Sequence, residues 1–258
     1  MSDYPLPNVS HDLTGEVALV TGATSGLGAR FARVLAAAGA QVVITGRRFE
    51  RLEALSAEIA EAGGRALPIA LDMTDTDSIT ACVAQAIEAL GPATILVNNA
   101  GIPDAQRAHK MSTELIDRVF DTNLRGPYVL SCEVARHLIA AERPGRMINI
   151  SSSVAFNYDG HGAALYSITK AGIARMTEVL AVEWARNHIN VNAIAPGAFH
   201  SEMMDGMLER VGDISQGFAR KRMGHAPQLD STLLYLCSPA SDAVTGTVIR
   251  VDDGQAPR

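Results

Sequence analysis

Seven short runs rich in Val and Ile recur along the chain, at 17–21, 41–45, 66–71, 94–97, 146–151, 190–195 and 247–251. Ala-rich stretches with helical periodicity lie between them, at roughly 26–38, 49–62, 76–90, 112–141, 163–187 and 228–237. The short runs are nearly continuous in apolar character, as strands buried on both faces should be. Strand alternating with helix in this way predicts an α/β fold: a parallel, doubly wound sheet with helices on both faces. Gly39, Gly63 and Gly91 follow the first three helices where a C-cap glycine belongs. No linker, repeat or low-complexity segment interrupts the pattern. The reading is an irregular lead-in over 1–14 and a single domain over 15–258.

Composition narrows the class. The chain has 258 residues, 47% of them hydrophobic and 19% charged, which fits an ordinary soluble globular protein. A net charge of -6 argues against a nucleic-acid surface. No apolar run approaches the roughly 18 residues of a membrane span. The opening Met-Ser-Asp-Tyr-Pro lacks the basic and apolar regions of a signal peptide. Cys82, Cys132 and Cys237 are far apart and suggest no disulfide framework or CxxC site. The seven histidines form no HExxH or HxxxH pair, so no metal site is expected. A cytoplasmic protein is the expectation.

One stretch breaks the alternation. About fifty residues separate the strands near 194 and 247, and they contain Met203, Met204, Gly206, Met207, Gly212 and Gly217. Methionines adapt to variable shapes and glycines permit hinging, so 198–225 reads as a substrate lid.

Straight after the first strand comes Thr21-Gly22-Ala23-Thr24-Ser25-Gly26-Leu27-Gly28, and then a helix begins. A strand, a glycine-rich turn and a helix N-terminus place backbone N–H groups and a positive dipole end beside a pyrophosphate. Gly22 permits the turn, Gly26 lets the backbone approach phosphates, and Gly28 lets the helix pack close on the sheet. With the preceding threonine, TGxxxGxG resembles the short-chain dehydrogenase/reductase family. Asn98-Asn99-Ala100-Gly101 matches that family's NNAG motif, Tyr166-Ser167-Ile168-Thr169-Lys170 its YxxxK, and Asn192 to Gly197 its NAxxPG. The four motifs stand in the family's order and the resemblance covers essentially 14–254. It implies a seven-stranded sheet in the order 3-2-1-4-5-6-7 and a nicotinamide cofactor across the strand ends.

Tyr166 and Lys170 are four apart on an expected helix and so share a face. A cation beside a phenol favours the phenolate, so Lys170 is expected to lower the pKa of Tyr166 and make it a general acid/base. The resemblance adds the remaining roles. Lys170 would also hold the nicotinamide ribose, and Asn123 would anchor a water in a proton relay to it. A serine ending the fifth strand would donate to the substrate oxygen. Ser151, Ser152 and Ser153 stand in a row; counting from the strand selects Ser152, counting back from Tyr166 selects Ser153, and Ser152 is preferred. Asp72, with Met73 beside it, would meet the adenine edge. Asn99, with Ala100 and Gly101, would line the adenosine side. Pro196 and Gly197 would lie against the nicotinamide, and Ser201 would contact its carboxamide. Thr24, Ser25 and Leu27 complete the phosphate turn. Two departures from the family pattern are Asn190, where arginine is frequent, and Asp253, where a second glycine is usual.

The expected activity is hydride transfer between the nicotinamide and a secondary alcohol or its ketone. A non-catalytic dinucleotide-sensing module on the same fold is the alternative. A dehydratase or epimerase would normally need a longer substrate domain. Side chains expected to face the substrate are Asp104, Val154, Ala155, Phe156, His161 and the 198–210 segment. At the end of the second strand, where NAD-dependent relatives carry an acid, stands Gly46, followed by Arg47 and Arg48. A guanidinium suits a 2′-phosphate, so NADP(H) is favoured and NAD(H) is the alternative. The helix at 163–187 is apolar almost all round, with Leu165, Ile168, Ile173, Met176, Val179, Leu180, Val182 and Trp184. One face would cover the sheet and the remainder needs a partner; the resemblance implies self-association through this helix, so a homo-oligomer, tetramer or dimer, is expected.

Overall fold

The computed structural model describes residues 5–158, 160 and 162–256. Strands β1 (Val17–Thr21), β2 (Gln41–Gly46), β3 (Arg65–Ala70), β4 (Ile95–Asn98), β5 (Gly145–Ile150), β6 (Ile189–Pro196) and β7 (Val248–Val251) form one sheet. Its order is 3-2-1-4-5-6-7 and every neighbouring pair is parallel. The order reverses between β1 and β4, so the carboxyl ends of those strands open a crevice.

Side-chain alternation divides the core into two layers. Ala18 and Val20 of β1, Val42 and Ile44 of β2, and Ile95 and Val97 of β4 face one side. There they meet Phe31 and Leu35 of α1 (Gly26–Ala37), Leu52 and Ile59 of α2 (Phe49–Glu61), and Leu233 and Leu236 at the end of the chain's last helix. Leu19, Val43 and Leu96 face the other side. They pack on Ile79 and Val83 of α3 (Thr76–Leu90), and on helices carrying Leu130, Leu138, Ile173 and Leu180. Gly39, Gly63 and Gly91 all take positive φ at the helix ends, as a C-cap requires.

The apolar period through 112–141 conceals a break. The structure holds two helices there, α4 (Thr113–Phe120) and α5 (Gly126–Ala140), joined by a π-helical turn at Asp121–Arg125. A π turn inserts a residue without disturbing the apolar stripe on either side, so periodicity alone reads straight through it. Gly126 is the reason α5 can begin there: a Cβ would stand 2.4 Å from the Met73 carbonyl oxygen. Helix α6 (Ala164–Glu183) follows β5, α7 (Glu202–Val211) follows β6, and α8 (Asp230–Cys237) precedes β7. Among the described residues, no helix is long and apolar enough to cross a membrane.

Candidate active site

The crevice is built from the end of β1. Thr21 is buried, and its hydroxyl accepts from the backbone N–H groups of Asn99 and Ala100, each at 3.0 Å. The Asn99 side chain donates back to the Thr21 carbonyl at 2.9 Å. The loop after β4 is thereby fastened to the glycine turn after β1. Within that turn Gly22 and Gly26 take φ of 67° and 55°. A Cβ on Gly28 would stand 2.3 Å from the Gly22 carbonyl oxygen, so only glycine lets α1 start this close to the strand. No side chain caps α1 at Ser25, and its first turn carries no acid. Its leading N–H groups stay available for an anion.

A cavity of about 870 Å³ opens above this turn. It is lined on one side by Gly22, Thr24, Ser25, Gly26, Leu27, Arg47, Asp72 and Met73, and further along by Asn99, Ala100, Gly101, Pro196, Gly197 and Ser201. Ser152, Tyr166 and Lys170 line it too. The structure thus brings together all but two of the catalytic and cofactor candidates. Gly28 lies beneath the turn as a packing residue, and Asn123 stands behind the cavity wall. A long groove with an open helix N-terminus and positive-φ glycines fits an extended dinucleotide.

The three consecutive serines separate. Ser151 is buried and donates to the Lys170 carbonyl at 2.8 Å. Ser152 lines the cavity with Tyr166, and its hydroxyl accepts weakly from Val154 N. Ser153 opens a short helical turn on the cavity wall. The Lys170 ammonium donates to the Ile150 carbonyl at 2.8 Å and lies 5.5 Å from the Tyr166 ring centre. Asn123, on the π turn, pairs both sides of its amide with the backbone of Ile102: Oδ1 accepts at 2.8 Å and Nδ2 donates at 2.9 Å. A Cβ on Gly101 would stand 3.5 Å from both Asn123 Oδ1 and Lys170 Nζ, which places that loop over the pair.

The acidity of this group differs from the sequence expectation. Burial pushes the Tyr166 phenol up to about 12, with the Ser152 hydrogen bond opposing and the Asp104 carboxylate adding to the rise. Burial also pulls Lys170 down to about 8. The lysine is aimed at the Ile150 carbonyl rather than at the phenol oxygen, and desolvation sets the direction of both shifts.

Asp104 is a residue whose task the sequence does not reveal. It is buried in the loop after β4, and its carboxylate accepts from Leu165 N at 2.8 Å, Tyr166 N at 3.2 Å and Ala105 N at 2.8 Å. It therefore caps α6 from a distant part of the chain, beside the tyrosine that the helix carries.

The 198–224 segment covers the cavity. It is closed at its base by a bridge between Phe199 and Gly224 and by Gly224 N donating to Ala198 O at 2.9 Å. Ser201 caps α7 by accepting from Met204 N at 3.2 Å. No residue of α7 is buried, yet Met203, Met204, Met207 and Arg210 line the cavity. Glu202 reaches across to Arg48 at 3.1 Å and Arg51 at 2.6 Å, and those bonds, with Ser25, hold its carboxyl down at about 2. At the other end Arg210 donates to the Ala105 carbonyl. Gln255 clasps the base of the segment: its side chain accepts from Ala198 N and donates to Ala198 O and Arg222 O. Asp253 stands at φ of 53° and pairs with Arg220 and Arg222, which accounts for an acid at a usual glycine position, since Asp tolerates the left-handed region. Asn190 likewise has a local partner in the Asp242 carbonyl.

On the substrate side, Asp104 and Val154 line the cavity as expected, whereas Ala155 and Phe156 do not. Phe156 turns outward, with the Arg250 guanidinium 4.3 Å from its ring centre. The turn that begins at Ser153 rotates these two residues away from the strand direction that the sequence suggests. His161 lies outside the described residues. Asn157, Tyr158, Ile214 and Phe218 line the cavity without having been anticipated.

The sequence profile of the short chain dehydrogenase family matches residues 16–211. A sorbitol dehydrogenase of Cereibacter sphaeroides is 35% identical over 257 residues, covering 94% of this chain and 98% of the relative. A short-chain type dehydrogenase/reductase from Mycobacterium marinum superposes with a TM-score of 0.93 at 33% identity, over 96% of this chain and 98% of that one. A short chain dehydrogenase from Burkholderia cenocepacia, solved in complex with NADP, superposes with a TM-score of 0.87 at 32% identity, over 94% and 98%. With the sheet order, the glycine turn and the Ser–Tyr–Lys cluster, these likenesses establish that the chain belongs to the short-chain dehydrogenase/reductase family of NAD(P)-dependent oxidoreductases acting on CH–OH groups.

Proposed function

We propose that the protein interconverts a secondary alcohol and its ketone, with Tyr166 as the general acid/base and NADP(H) as the preferred cofactor. The observation that carries the reading is the cluster of Ser152, Tyr166 and Lys170 on one cavity wall, with the lysine ammonium 5.5 Å from the Tyr166 ring centre. When bound, the nicotinamide supplies or accepts the hydride. The protein manages the oxygen. Ser152 donates a hydrogen bond to the substrate oxygen, and Tyr166 Oη gives it a proton in reduction or takes one in oxidation. A phenol held near 12 is in the acid form at neutral pH, which suits reduction. Oxidation needs the phenolate and so accelerates as pH rises. Asn123 holds the Ile102 loop above Lys170.

The cofactor preference rests on the end of β2. An acid at Gly46 would collide with Thr24, whose methyl lies 2.7 Å from where a Cβ would stand. Arg47 lines the cavity, exposed and without a hydrogen-bond partner among the described residues, beside Asp72. A 2′-phosphate would meet a guanidinium there instead of a carboxylate. The 198–224 segment acts as a lid over both ligands. Three free cysteines support a cytoplasmic setting.

A homo-oligomer follows from the outer faces of α5 and α6. Ile168, Val179 and Val182 are exposed, and a groove between the helices is lined by Phe120, Leu124, Tyr128, Cys132 and Met176. Burying such a face against a second copy would stabilise both.

The test is cofactor absorbance during a screen of alcohols and ketones, repeated with Tyr166→Phe. Removing the proton-transfer group should cost roughly 10²–10⁴-fold in turnover and leave cofactor affinity intact. Near-normal turnover by the Phe variant removes Tyr166 from the mechanism.

A further inference from the structure

The sheet order divides the cavity into two ends. Arg47, Asp72 and Met73 line the end over β1 to β3; Val154, α7 and the residues after it line the end over β5 to β7. At this second end most of the described polar side chains already have partners. Both oxygens of Asp104 accept from backbone N–H groups. Arg210 donates to the carbonyls of Gly206 and Ala105, and the Gln255 amide is held by Ala198 and Arg222. Asn157 is engaged as well. Among the described residues, apart from Ser152 and Tyr166, the hydroxyls of Ser153 and Tyr158 are left.

The apolar side chains are in the opposite condition. Val154, Met204, Met207, Ile214 and Phe218 face the cavity half-buried, and α7 has no buried residue against anything else. A helix whose apolar stripe is turned to a cavity and left uncovered gains its packing from what enters that cavity.

From this we infer that the substrate is a ketone or secondary alcohol with an apolar body, and not a polyol or sugar acid. The inference rests on the oxidoreductase reading above. A polyol entering here would lose water from several hydroxyls and find, among the described residues, two free side-chain hydroxyls, a net cost for each unpaired group. An alkyl or aryl body would cover the methionines, Ile214 and Phe218 and lose no hydrogen bond. The methionines accommodate more than one shape of such a body. The chain differs in this respect from what the name of its sorbitol-oxidising relative would suggest.

The experiment compares methyl ketones from butanone to octanone with sorbitol and gluconate, and reads kcat/KM and binding together. Binding is measured by calorimetry and thermal shift on the protein loaded with nicotinamide cofactor, so that it is read even where turnover is slow. kcat/KM and affinity should climb by about fourfold per added methylene until the cavity is filled, the equivalent of about 0.8 kcal/mol for each buried CH₂. Met207→Asn, on a helix with no buried residue, should flatten that climb. A flat chain-length dependence in both readouts overturns the inference. So does a polyol or sugar acid that binds or turns over better than octanone. Tight, chain-length-dependent ketone binding with no turnover by either NADP(H) or NAD(H) would uphold the apolar site and remove the proposed chemistry.

Discussion

Replacing Asp104 should separate two jobs done by one carboxylate. In Asp104→Ala, three backbone N–H groups lose their acceptor, one of them on buried Leu165. Hydrogen bonds to a charged group are worth about 1.5–3 kcal/mol each, but cleft water can reach part of this site, so a total near 3 kcal/mol is expected. For a domain of this size each kcal/mol moves Tm by about 2–4 °C, giving a fall of roughly 6–12 °C. Asp104→Asn keeps the shape and one acceptor oxygen while removing the charge, and should cost about 1 kcal/mol. Its stronger effect should be on titration. Asp104 raises the Tyr166 pKa, so the Asn variant should ionise that phenol at lower pH. The alkaline rise of the oxidation rate then moves to lower pH, while the acid form needed for reduction is lost earlier. Calorimetry reads the first effect; pH–rate profiles and absorbance titration of the tyrosinate read the second. An Ala variant with unchanged Tm, or an Asn variant whose profile stays in place, would refute the capping and charge argument respectively.

Arg47→Ala should weaken NADPH binding roughly tenfold to a hundredfold, the worth of a charge-assisted hydrogen bond, and leave NADH nearly unchanged in fluorescence titrations. Glu202→Gln should loosen the 198–224 segment from α2 and raise amide exchange across it, as added salt should in the wild type. The sign with pH is fixed by the lowered carboxyl: the Glu202 contact is fully present above its ordinary value of 4.5 and fades only as pH falls toward about 2. Val179→Lys, on the exposed face of α6, should lower the mass found by light scattering; an unchanged mass places the interface elsewhere.

The strands and most helices were legible because buried parallel strands leave an unmistakable apolar run, and Gly39, Gly63 and Gly91 mark where helices stop. The glycine turn and the Tyr166–Lys170 pair were legible because each is a local spacing. What escaped was set by contacts between distant parts of the chain. Asp104 caps a helix 61 residues away, Glu202 meets Arg51 across 151, and Gln255 grips Ala198 across 57. An acid in the first turn of α7 was a faint hint for Glu202, while Gln255 offers none. The acidity of Tyr166 escaped for another reason. A spacing of four gives the distance to a cation but not the degree of burial, and burial decides the balance.

The same buried strands raise a question of alignment. A strand of Val and Ile apolar on both faces has little to distinguish one register from the next. In the middle of this sheet Asn98 of β4 stands opposite Asn149 of β5 and donates to it at 2.8 Å. Asn98 also donates to Ser131, and Asn149 donates to Thr177, so the pair is tied to a helix at each end. Sliding β5 by one residue would orphan several buried amide and hydroxyl groups, at about 1–3 kcal/mol for each. The asparagines thus act as a key that admits one alignment. Since Asn99 follows one strand and Ser151 and Ser152 the other, that key also sets how far the loop after β4 stands from Ser152 across the cavity.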